Sequence, residues 1–503
     1  MRHHRLFIGG EFREASDGAA KACLNPATGK AIGTVATATA ADVDTAVAMA
    51  REAVDRGRWA SATAAGRVQV LNAIADGIKR RANEIVALEV ADGGSTLAKA
   101  RADVASGAYW FRTMAELAPR LEDAVPLPQA MRPGPSYNYV RREPIGVVAA
   151  IIPWNFPFLM ACWKLSMGLA AGNAVVLKPA LEAPLSALLL AEIAHEADVP
   201  PGVVSVLPGE GLEVGEALVI HSGVDKVSFT GSVEVGKRVM TLAAGTLKKV
   251  TLELGGKSAQ VLLDGADMDL AIDGALYAAF YHAGQACEAG TRLLVSRACH
   301  DEIVSRLVER MSVLAVGNPA DKGTTIGPLI NERQLERVAG YVDIGTAEGA
   351  SVAAGGARIG GSVAGGSFFT PTLLTGVTPR MRVAQEEIFG PVLSVLTYDD
   401  LDEAVAVAND TIYGLAGAVW GPPSAAIELG HRLRAGTVWI NDYHLLNPKY
   451  PFGGFRQSGI GREFGLEGLL AWTELKHMHV ALDTSRASKR WFDGTIPQRT
   501  SSP

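Results

Sequence analysis

Cysteine is scarce in this sequence of 503 residues, which contains only four. They are widely separated and form no CxxC pair: Cys23, Cys162, Cys287 and Cys299. Cysteines so few and so scattered exclude a disulfide framework and a cysteine metal site. We therefore expect a protein of a reducing compartment, the cytoplasm, without a bound metal.

Long hydrophobic runs and one-sided charge are also lacking. The longest apolar runs, residues 145–152 and 185–191, fall short of the roughly 20 residues that a membrane span needs. Gly9 and Gly10 interrupt the apolar stretch of the N-terminus, which argues against a signal peptide. Lys and Arg (47) nearly balance Asp and Glu (53) without a long basic run, so neither nucleic acid nor a membrane is an expected partner.

What the sequence does contain is typical of a globular enzyme. Hydrophobic residues make up 48% and charged residues 20% of the chain, which excludes disordered and fibrous proteins. At roughly 100 to 200 residues per domain, the length predicts two to four domains with ample buried core.

The first quarter of the chain has helical periodicity. Thr39 and Asp42 form a capping-box pattern, and apolar residues then recur at helical spacing. A second helical pattern starts at Val68, and alanine-rich segments keep the same period to about Arg120. We therefore predict that this quarter is mostly helical.

Short apolar runs alternate with alanine-rich helical stretches after Val147. The first series covers residues 147–152, 174–177, 203–207, 226–230 and 250–254, and a second covers 292–296, 390–397 and 437–441. Such alternation predicts two α/β lobes of parallel βαβ units, with a boundary near Gly255 and Gly256.

Other segments lie outside both series. Residues 136–142 and 476–481 have strand patterns and could pair across a subunit interface. The glycine-rich residues 349–366 are expected to form a loop. We expect the polar tail after Asp483 on the surface or poorly ordered.

A glycine motif at residues 231–236 follows an apolar run and precedes a helical pattern, as in phosphate-binding loops. It nearly matches a Walker A motif, but Arg238 stands where a magnesium-binding Ser or Thr is required. A triphosphatase is therefore a disfavoured alternative, and helix entry would explain the glycines equally well. Gly209, Gly211 and Gly215 miss the dinucleotide fingerprint by one residue, which favours a strand-to-helix turn.

Four polar residues are candidates for one pocket. Lys178 and Glu253 each end a predicted strand, at the sheet edge where ligands bind. Cys287 lies between glycines, and Asn155 is enclosed by two prolines and two aromatic residues. Ordinary alternatives are a solvated lysine, an edge-strand glutamate, a buried cysteine and a turn asparagine. Glu288 would oppose a thiolate at Cys287, so activation requires a base distant in sequence.

Seven segments together resemble the aldehyde dehydrogenase superfamily. They are PWNFP at 153–157, LKP at 177–179, FTGSVEVG at 229–236, LELGG at 252–256, GQAC at 284–287, EEIFGPV at 386–392 and PFGGFRQSGIGRE at 451–463. The resemblance spans nearly the whole chain and implies an α/β fold. Its implied parts are a Rossmann-like cofactor domain (1–125 and 144–256), an α/β catalytic domain (257–471), oligomerisation strands (126–143 and 472–485) and a tail (486–503). The strands imply a homodimer or homotetramer.

The resemblance assigns roles by position. It implies a nucleophile at Cys287, a general base at Glu253 and an oxyanion-hole amide at Asn155, with Lys164 and Glu463 in the same catalytic set. Implied coenzyme contacts are Ile151, Pro153, Trp154, Lys178, Leu181, Gly211, Gly215, Phe229, Thr230, Gly231, Ser232, Leu254, Gly255, Glu387 and Phe389. Relatives that pass the acyl group to coenzyme A generally lack the glutamate, so Glu253 favours a free carboxylic acid as product.

The coenzyme lysine segment departs from the family's pattern. Many NAD-preferring relatives carry an acidic residue three places after the lysine, where this chain has Leu181 beside Glu182. Loss of that acid removes repulsion toward a 2′-phosphate, but no arginine is clearly placed to attract one. We expect NAD, with NADP as the alternative.

The resemblance also implies a substrate tunnel. Its lining would be Phe158, Trp163, Tyr281 and Phe452, with residues 443–450 as the outer rim. An aromatic tunnel without an obvious acidic anchor favours an apolar aldehyde, aromatic or medium-chain, although these rings would equally suit core packing.

Two alternatives to an aldehyde dehydrogenase remain. A catalytically silent family member would bind coenzyme without turnover, which the set of Cys287, Glu253 and Asn155 argues against. A cysteine hydrolase would need an activating histidine, and His282 is near in sequence but is not placed toward Cys287 by any pattern.

Overall fold

The computed structural model describes residues 2–128, 134–363 and 365–496. The helices are α1 (Ala40–Asp55), α2 (Ala64–Arg80), α3 (Ala82–Ala91), α4 (Leu97–Leu117), α5 (Pro157–Ala170), α6 (Leu185–Glu196), α7 (Glu216–Ile220), α8 (Val233–Ala243), α9 (Met268–Phe280), α10 (His300–Met311), α11 (Glu332–Ala347), α12 (Arg382–Gln385), α13 (Leu401–Asn409), α14 (Pro423–Gly430) and α15 (Gly465–Leu470).

The strands follow the same chain order. They are β1 (Arg2–His4), β2 (Leu6–Ile8), β3 (Glu11–Arg13), β4 (Ala20–Leu24), β5 (Ala31–Ala36), β6 (Val125–Pro126), β7 (Ser136–Pro144), β8 (Val147–Ile151), β9 (Ala174–Lys178), β10 (Val204–Val206), β11 (Lys226–Thr230), β12 (Lys249–Glu253), β13 (Ala259–Leu262), β14 (Arg292–Ser296), β15 (Ser351–Ala354), β16 (Thr372–Thr375), β17 (Val392–Tyr398), β18 (Ala416–Trp420), β19 (Thr437–Ile440), β20 (Gly459–Ile460) and β21 (Thr473–Ala481).

The first series of apolar runs forms the centre of an eight-stranded sheet. Its order is β20-β12-β11-β8-β9-β10-β2-β3, with β8 to β12 parallel. The edge strand β20 runs antiparallel to β12, and β2, which lies beside the other edge strand β3, runs antiparallel to β10. The prediction of parallel βαβ units is confirmed, and the carboxyl ends of β8, β9, β11 and β12 meet at one edge.

The second series forms a seven-stranded sheet. Its order is β15-β16-β17-β14-β13-β18-β19, parallel except for β15 at the edge. The prediction of a second α/β lobe is therefore confirmed. The glycine-rich segment 349–366 was wrongly expected to be only a loop, because Ser351–Ala354 pairs with β16. This strand is mostly exposed, so it lacks the apolar pattern that marks buried strands.

Two small sheets complete the fold. Strand β21 pairs antiparallel with β7 over nine residues, and β6 pairs with the other edge of β7. The strands predicted at 136–142 and 476–481 thus exist and pair within one chain. Strand β5 pairs with β1 and β4. The prediction of a mostly helical first quarter is confirmed by the helices between Ala40 and Leu121. The strands before Ala40 were not predicted, because strands of three to six residues are too short to show a periodic pattern.

Several local predictions are confirmed. Thr39 caps α1 through the capping box with Asp42, and the segment after Gly209 is a turn that leads into α7. The described part of the tail, to Ile496, is mostly exposed, and its remainder lies outside the described residues. All four cysteines are free. Among the helices described, none is long and apolar enough to cross a membrane.

Helix α5 positions the site because every one of its residues is buried. It starts at Pro157, directly after the Asn155 segment, and carries Lys164 inward. The helix packs against α4, where a Cβ added at Gly107 would lie 2.7 Å from the Phe158 ring. Packing this close fixes the position of the polar side chains at the end of β8.

Candidate active site

A pocket of about 450 Å³ lies at the carboxyl ends of β8, β11 and β12 and extends to the second lobe. It is lined by Pro153, Trp154, Asn155, Met160, Thr230, Gly231, Ser232, Glu234, Glu253, Gly255, Cys287, Arg333, Gln334, Arg337, Glu387 and Phe389. The pocket thus brings together the predicted nucleophile, amide and base, which are far apart in sequence. Ligands of open α/β sheets bind at this kind of edge.

Cys287 follows a strained turn at the end of α9. His282 and Ala283 have positive φ angles of 52° and 53°, which non-glycine residues rarely adopt. At Gly284, φ is 70°, and an added Cβ would lie 2.2 Å from the Gly390 carbonyl oxygen, so only glycine fits. Strain of this kind persists where the surrounding structure enforces it, commonly at functional sites.

The His282 ring, which a cysteine hydrolase would need as activating base, is not the hydrogen-bond partner of the Cys287 thiol. It packs 5.5 Å from the Phe156 ring. Burial, followed by the charge of Lys99, lowers the pKa of His282 well below its ordinary value. The Cys287 thiol instead donates to Glu288 Oε2 over 3.1 Å, and burial followed by the Glu288 carboxylate raises the thiol pKa well above its ordinary value.

The Asn155 side chain is oriented toward the cysteine segment. Its Nδ2 donates to the backbone carbonyl of Gln285 over 2.8 Å. The residue is 1% exposed, and its Oδ1 has no hydrogen-bond partner among the described residues. The alternative of an ordinary turn asparagine is therefore wrong, because a turn asparagine satisfies its own amide locally.

Glu253 ends β12 and is buried. It is 4% exposed, and neither carboxylate oxygen has a hydrogen-bond partner within the described chain. Burial, followed by the charge of Glu463, raises the pKa of Glu253 well above its ordinary value. The alternative of a solvated edge-strand glutamate is wrong. An unpaired buried carboxyl is typical of a group held ready for a reaction.

Lys164 and Glu463 form a buried ion pair beside this carboxyl. Lys164 is 0% and Glu463 1% exposed, and Ser228 Oγ donates to Glu463 over 3.3 Å. Both charges act on Glu253 in opposite directions. The two residues therefore influence the protonation of Glu253, and their membership of the catalytic set stays a prediction.

The predicted coenzyme residues fall into two groups. Pro153, Trp154, Thr230, Gly231, Ser232, Gly255, Glu387 and Phe389 line the pocket. Trp154 and Phe389 meet edge to face at 5.4 Å, and Glu387 accepts from the Gly256 N–H over 3.1 Å. Ser232 caps α8, so the start of this helix faces the pocket.

The second group lies outside the lining of this pocket: Ile151, Lys178, Leu181, Gly211, Gly215, Phe229 and Leu254. Lys178 is 5% exposed, so it is not a solvated lysine, and a Cβ added at Gly215 would lie 3.7 Å from its side chain. Burial lowers the pKa of Lys178 to about 8. Phe229 and Leu254 pack against Gly231 and Gly236, and Leu181 is 7% exposed in the core.

The predicted tunnel aromatics belong to one hydrophobic core cluster, but their ring contacts fall into two groups. Trp163 and Phe452 pack against Phe464 at 4.7 and 5.8 Å. Phe158 is 0% exposed against α4. Tyr281 instead joins a second ring cluster with Phe156 and His444, at 6.3 and 4.9 Å. A tunnel lined by these four residues stays a prediction.

Sequence reasoning missed the contribution of α11. Arg333, Gln334 and Arg337 line the pocket, and Gln334 Nε2 donates to the Phe389 carbonyl over 2.8 Å. Arg337 Nη2 donates to the Glu387 carbonyl over 2.6 Å. These bonds hold the segment of Glu387 and Phe389 in place. A surface helix with no motif carries no signal for such a role.

Comparison with known proteins agrees with this geometry. The model of the aldehyde dehydrogenase family matches residues 12–478. A betaine aldehyde dehydrogenase of Bacillus subtilis (strain 168) is 41% identical over 493 residues, which are 97% of this chain and 99% of that protein.

Two solved structures share the fold. A betaine aldehyde dehydrogenase from Staphylococcus aureus in complex with NAD+ has a TM-score of 0.93 at 38% identity, covering 96% of this chain and 95% of that chain. The NAD+ complex of an aldehyde dehydrogenase from Bacillus cereus has a TM-score of 0.93 at 42% identity, covering 96% and 97%. Because sequence and fold match over nearly the whole chain, the protein belongs to the aldehyde dehydrogenase family.

Proposed function

We propose that the protein oxidises an aldehyde to a free carboxylic acid with NAD, through a thioester on Cys287. The observation that carries this proposal is the convergence of Cys287, Asn155 and Glu253 on one pocket. Family membership supports the reaction class. The presence of Glu253 supports hydrolysis of the acyl group.

In the first step, the Cys287 thiol releases its proton to water, and the thiolate sulfur adds to the aldehyde carbon and leaves an alkoxide. Asn155 Nδ2 has a second hydrogen besides the one given to Gln285, and together with the Cys287 N–H it would stabilise the alkoxide. Preorganised donors of this kind are effective because they need no rearrangement as charge develops. The alkoxide then collapses to a thioester and expels hydride.

The residues of the pocket fit a dinucleotide coenzyme. The first turn of α8, beside Gly231 and Ser232 in the pocket, offers backbone N–H groups for a phosphate, and Glu387 and Phe389 lie near Cys287 in the same pocket. When bound, NAD supplies the hydride acceptor. The solved NAD+ complexes of two relatives support this choice over NADP.

In the second step, water attacks the thioester. Glu253, whose oxygens have no partner among the described residues, would take the proton from this water. The charges of Lys164 and Glu463 lie close enough to set how readily Glu253 does so. General-base assistance of this kind typically contributes about a hundredfold to ten-thousandfold in rate.

We also propose an apolar aldehyde, aromatic or medium-chain, as the substrate. The aromatic rings of the two clusters near the site support this choice, because such rings bind apolar groups. The rings of Tyr277 and Tyr281, 5.3 Å apart, would also suit a cationic substrate. Betaine aldehyde, which is such a cation, is the substrate named for two relatives. The substrate panel below separates the two.

Strand β21 supports a proposal that the chain forms a homodimer or homotetramer. It lies at the edge of its three-stranded sheet and exposes Leu475 and Val480. An exposed apolar edge strand is a site for pairing with another chain. Light scattering of the purified protein would measure the mass, and a monomer would contradict this proposal.

The decisive experiment follows reduced coenzyme with a panel of aliphatic, aromatic and amino aldehydes that includes betaine aldehyde, with NAD and NADP in parallel. The proposal is supported if the wild type turns over an aldehyde and Cys287→Ala does not, although the variant still binds coenzyme. Cys162→Ala is the matched control. Coenzyme binding without turnover would support a silent family member, and magnesium-dependent ATP hydrolysis would support a triphosphatase.

A further inference from the structure

The carboxylate beside the nucleophile has a partner on a distant loop. Glu288 Oε2 accepts from the Cys287 thiol, and Glu288 Oε1 lies 2.9 Å from His444 Nδ1. The His444 and Glu288 side chains are 2% and 6% exposed. The structure therefore connects the partly buried sulfur, the carboxylate and the imidazole in one row.

The hydrogen bonds determine how many protons this row holds. His444 Nε2 lies 3.1 Å from the Ala278 carbonyl oxygen, and a carbonyl only accepts, so Nε2 carries a hydrogen. A lone pair on Nδ1 facing a bare carboxylate at 2.9 Å would be repulsive. One proton therefore lies between Nδ1 and Oε1, and the pair of Glu288 and His444 is neutral overall.

The His444 ring is fixed from several sides. It contacts the rings of Tyr277, Tyr281 and Tyr443 at 5.3, 4.9 and 4.8 Å, and the acidic residue Asp442 lies two positions before it in the chain. His444 has a positive φ of 59°, so the loop adopts a strained conformation to present this ring. The Tyr443 hydroxyl donates to the Glu288 carbonyl over 2.7 Å, which holds the two segments together.

The other charged groups that act on the thiol are also acidic. Glu387 and Glu253 add to the effect of Glu288, and all three oppose a negative charge on Cys287. Burial alone would raise the pKa of Glu288, yet the hydrogen bond and charge of His444 bring it below the ordinary value. Within this row, His444 thus supplies the charge that balances the Glu288 carboxylate.

We propose that His444 is a positioning residue that neutralises Glu288 and so allows Cys287 to become a thiolate. This inference rests on the proposed role of Cys287 as nucleophile. Without the imidazole, a bare carboxylate would lie 3.1 Å from the sulfur. A like charge at this range opposes ionisation of the thiol. Each unit by which the thiol pKa rises lowers the thiolate fraction at neutral pH by about tenfold.

The test is the pH profile of Cys287 alkylation by iodoacetamide, without coenzyme or aldehyde, from about pH 6 to 10. Four proteins are compared: the wild type, His444→Gln, Glu288→Gln and the double variant. Mass spectrometry identifies the labelled cysteine. His431→Gln is the matched control, because His431 is exposed at the end of α14.

We expect His444→Gln to move the profile to higher pH and slow alkylation at neutral pH by about tenfold or more. The double variant should recover the alkylation rate of Cys287, because it lacks the Glu288 carboxylate that His444 neutralises. Recovery also shows that the loop still folds without the imidazole.

Two results would overturn the inference. One is an unchanged profile for His444→Gln. The other is equal slowing of the single and double variants, which would indicate a purely structural role. Alkylation requires no aldehyde turnover, so these outcomes are distinct from failure of the proposed dehydrogenase reaction.

Discussion

Asn155 is tied to the segment that carries Cys287, because its Nδ2 donates a 2.8 Å hydrogen bond to the Gln285 carbonyl. The two residues come from different sheets, since Asn155 follows β8 and Cys287 precedes β14. This hydrogen bond therefore links the Asn155 amide to the segment that carries the sulfur. Any change in how the two lobes pack would alter the positions of the Asn155 amide and the Cys287 sulfur at once.

Asn155→Ala removes this link and the proposed oxyanion donor. We expect kcat to fall by about a hundredfold to a thousandfold, as for other oxyanion donors. Steady-state kinetics and a coenzyme titration would measure the effect, and the dissociation constant of the coenzyme should be unaltered. A loss below tenfold would contradict the role.

Glu253→Gln should allow one turnover and then stall, because the thioester forms but is not hydrolysed. Rapid mixing would show a burst of reduced coenzyme followed by a slow phase. Since burial raises the pKa of Glu253, the carboxyl keeps its proton at low pH, and wild-type hydrolysis should accelerate as pH rises. The variant should lack this acceleration; an unaltered steady state would remove Glu253 as the base.

Glu463→Gln should shift that pH dependence to lower pH, because Glu463 is a like charge that raises the pKa of Glu253. It should also destabilise the protein by about 3 to 5 kcal/mol, since Lys164 would remain buried without its partner. Urea unfolding measures the stability. Lys164→Met in the same protein should recover most of it.

The matched control for this ion pair is Asp402→Asn. Asp402 pairs with Arg432 on the surface, with side chains 87% and 43% exposed. Exposed pairs contribute about 0 to 1 kcal/mol. Equal losses of unfolding free energy for Glu463→Gln and Asp402→Asn would show that breaking the buried pair costs no more than breaking an exposed one.

Coenzyme affinity should depend on the charge of Lys178. Burial lowers the pKa of this lysine to about 8, so the ammonium loses its proton above that pH. If it contacts the coenzyme, the dissociation constant should rise between about pH 7 and 9. Fluorescence titration would measure this, and Lys178→Met should bind weakly at every pH.

Leu181→Glu should increase the preference for NAD over NADP. If this position faces the coenzyme, as the resemblance implies, a carboxylate here would accept from the ribose hydroxyls and repel a 2′-phosphate. The ratio of kcat/KM values measures the preference. Leu181→Gln is the matched control, because it adds an acceptor without charge, and an equal shift in both variants would exclude repulsion as the cause.

The sheets could be predicted where burial shapes the sequence. Strand β11 matches its predicted range, and β12 differs by one residue, because a strand covered on both faces is a continuous apolar run. Ser351–Ala354 was missed because its side chains are largely exposed. Pairing at an edge depends on backbone geometry, which leaves no such signature.

The site could be predicted only where a motif marks it. Cys287, Asn155 and Glu253 lie in three such motifs, and the structure brings them to one pocket. Glu288 was recognised as opposing the thiolate, but its partner His444 lies 156 positions away on an irregular loop. Contacts between distant loops depend on the packing of both lobes, and no local pattern records them.

Strand β20 has a consequence for synthesis of the chain on the ribosome. Gly459 and Ile460 complete the first sheet beside Glu253 and Leu252, after the chain has already built the second sheet. Until those late residues emerge, the edge of β12 remains open and its glutamate uncovered. The site of the proposed general base is therefore completed near the end of translation, and a nascent chain that stops at Gly256 would carry an unprotected edge prone to aggregation.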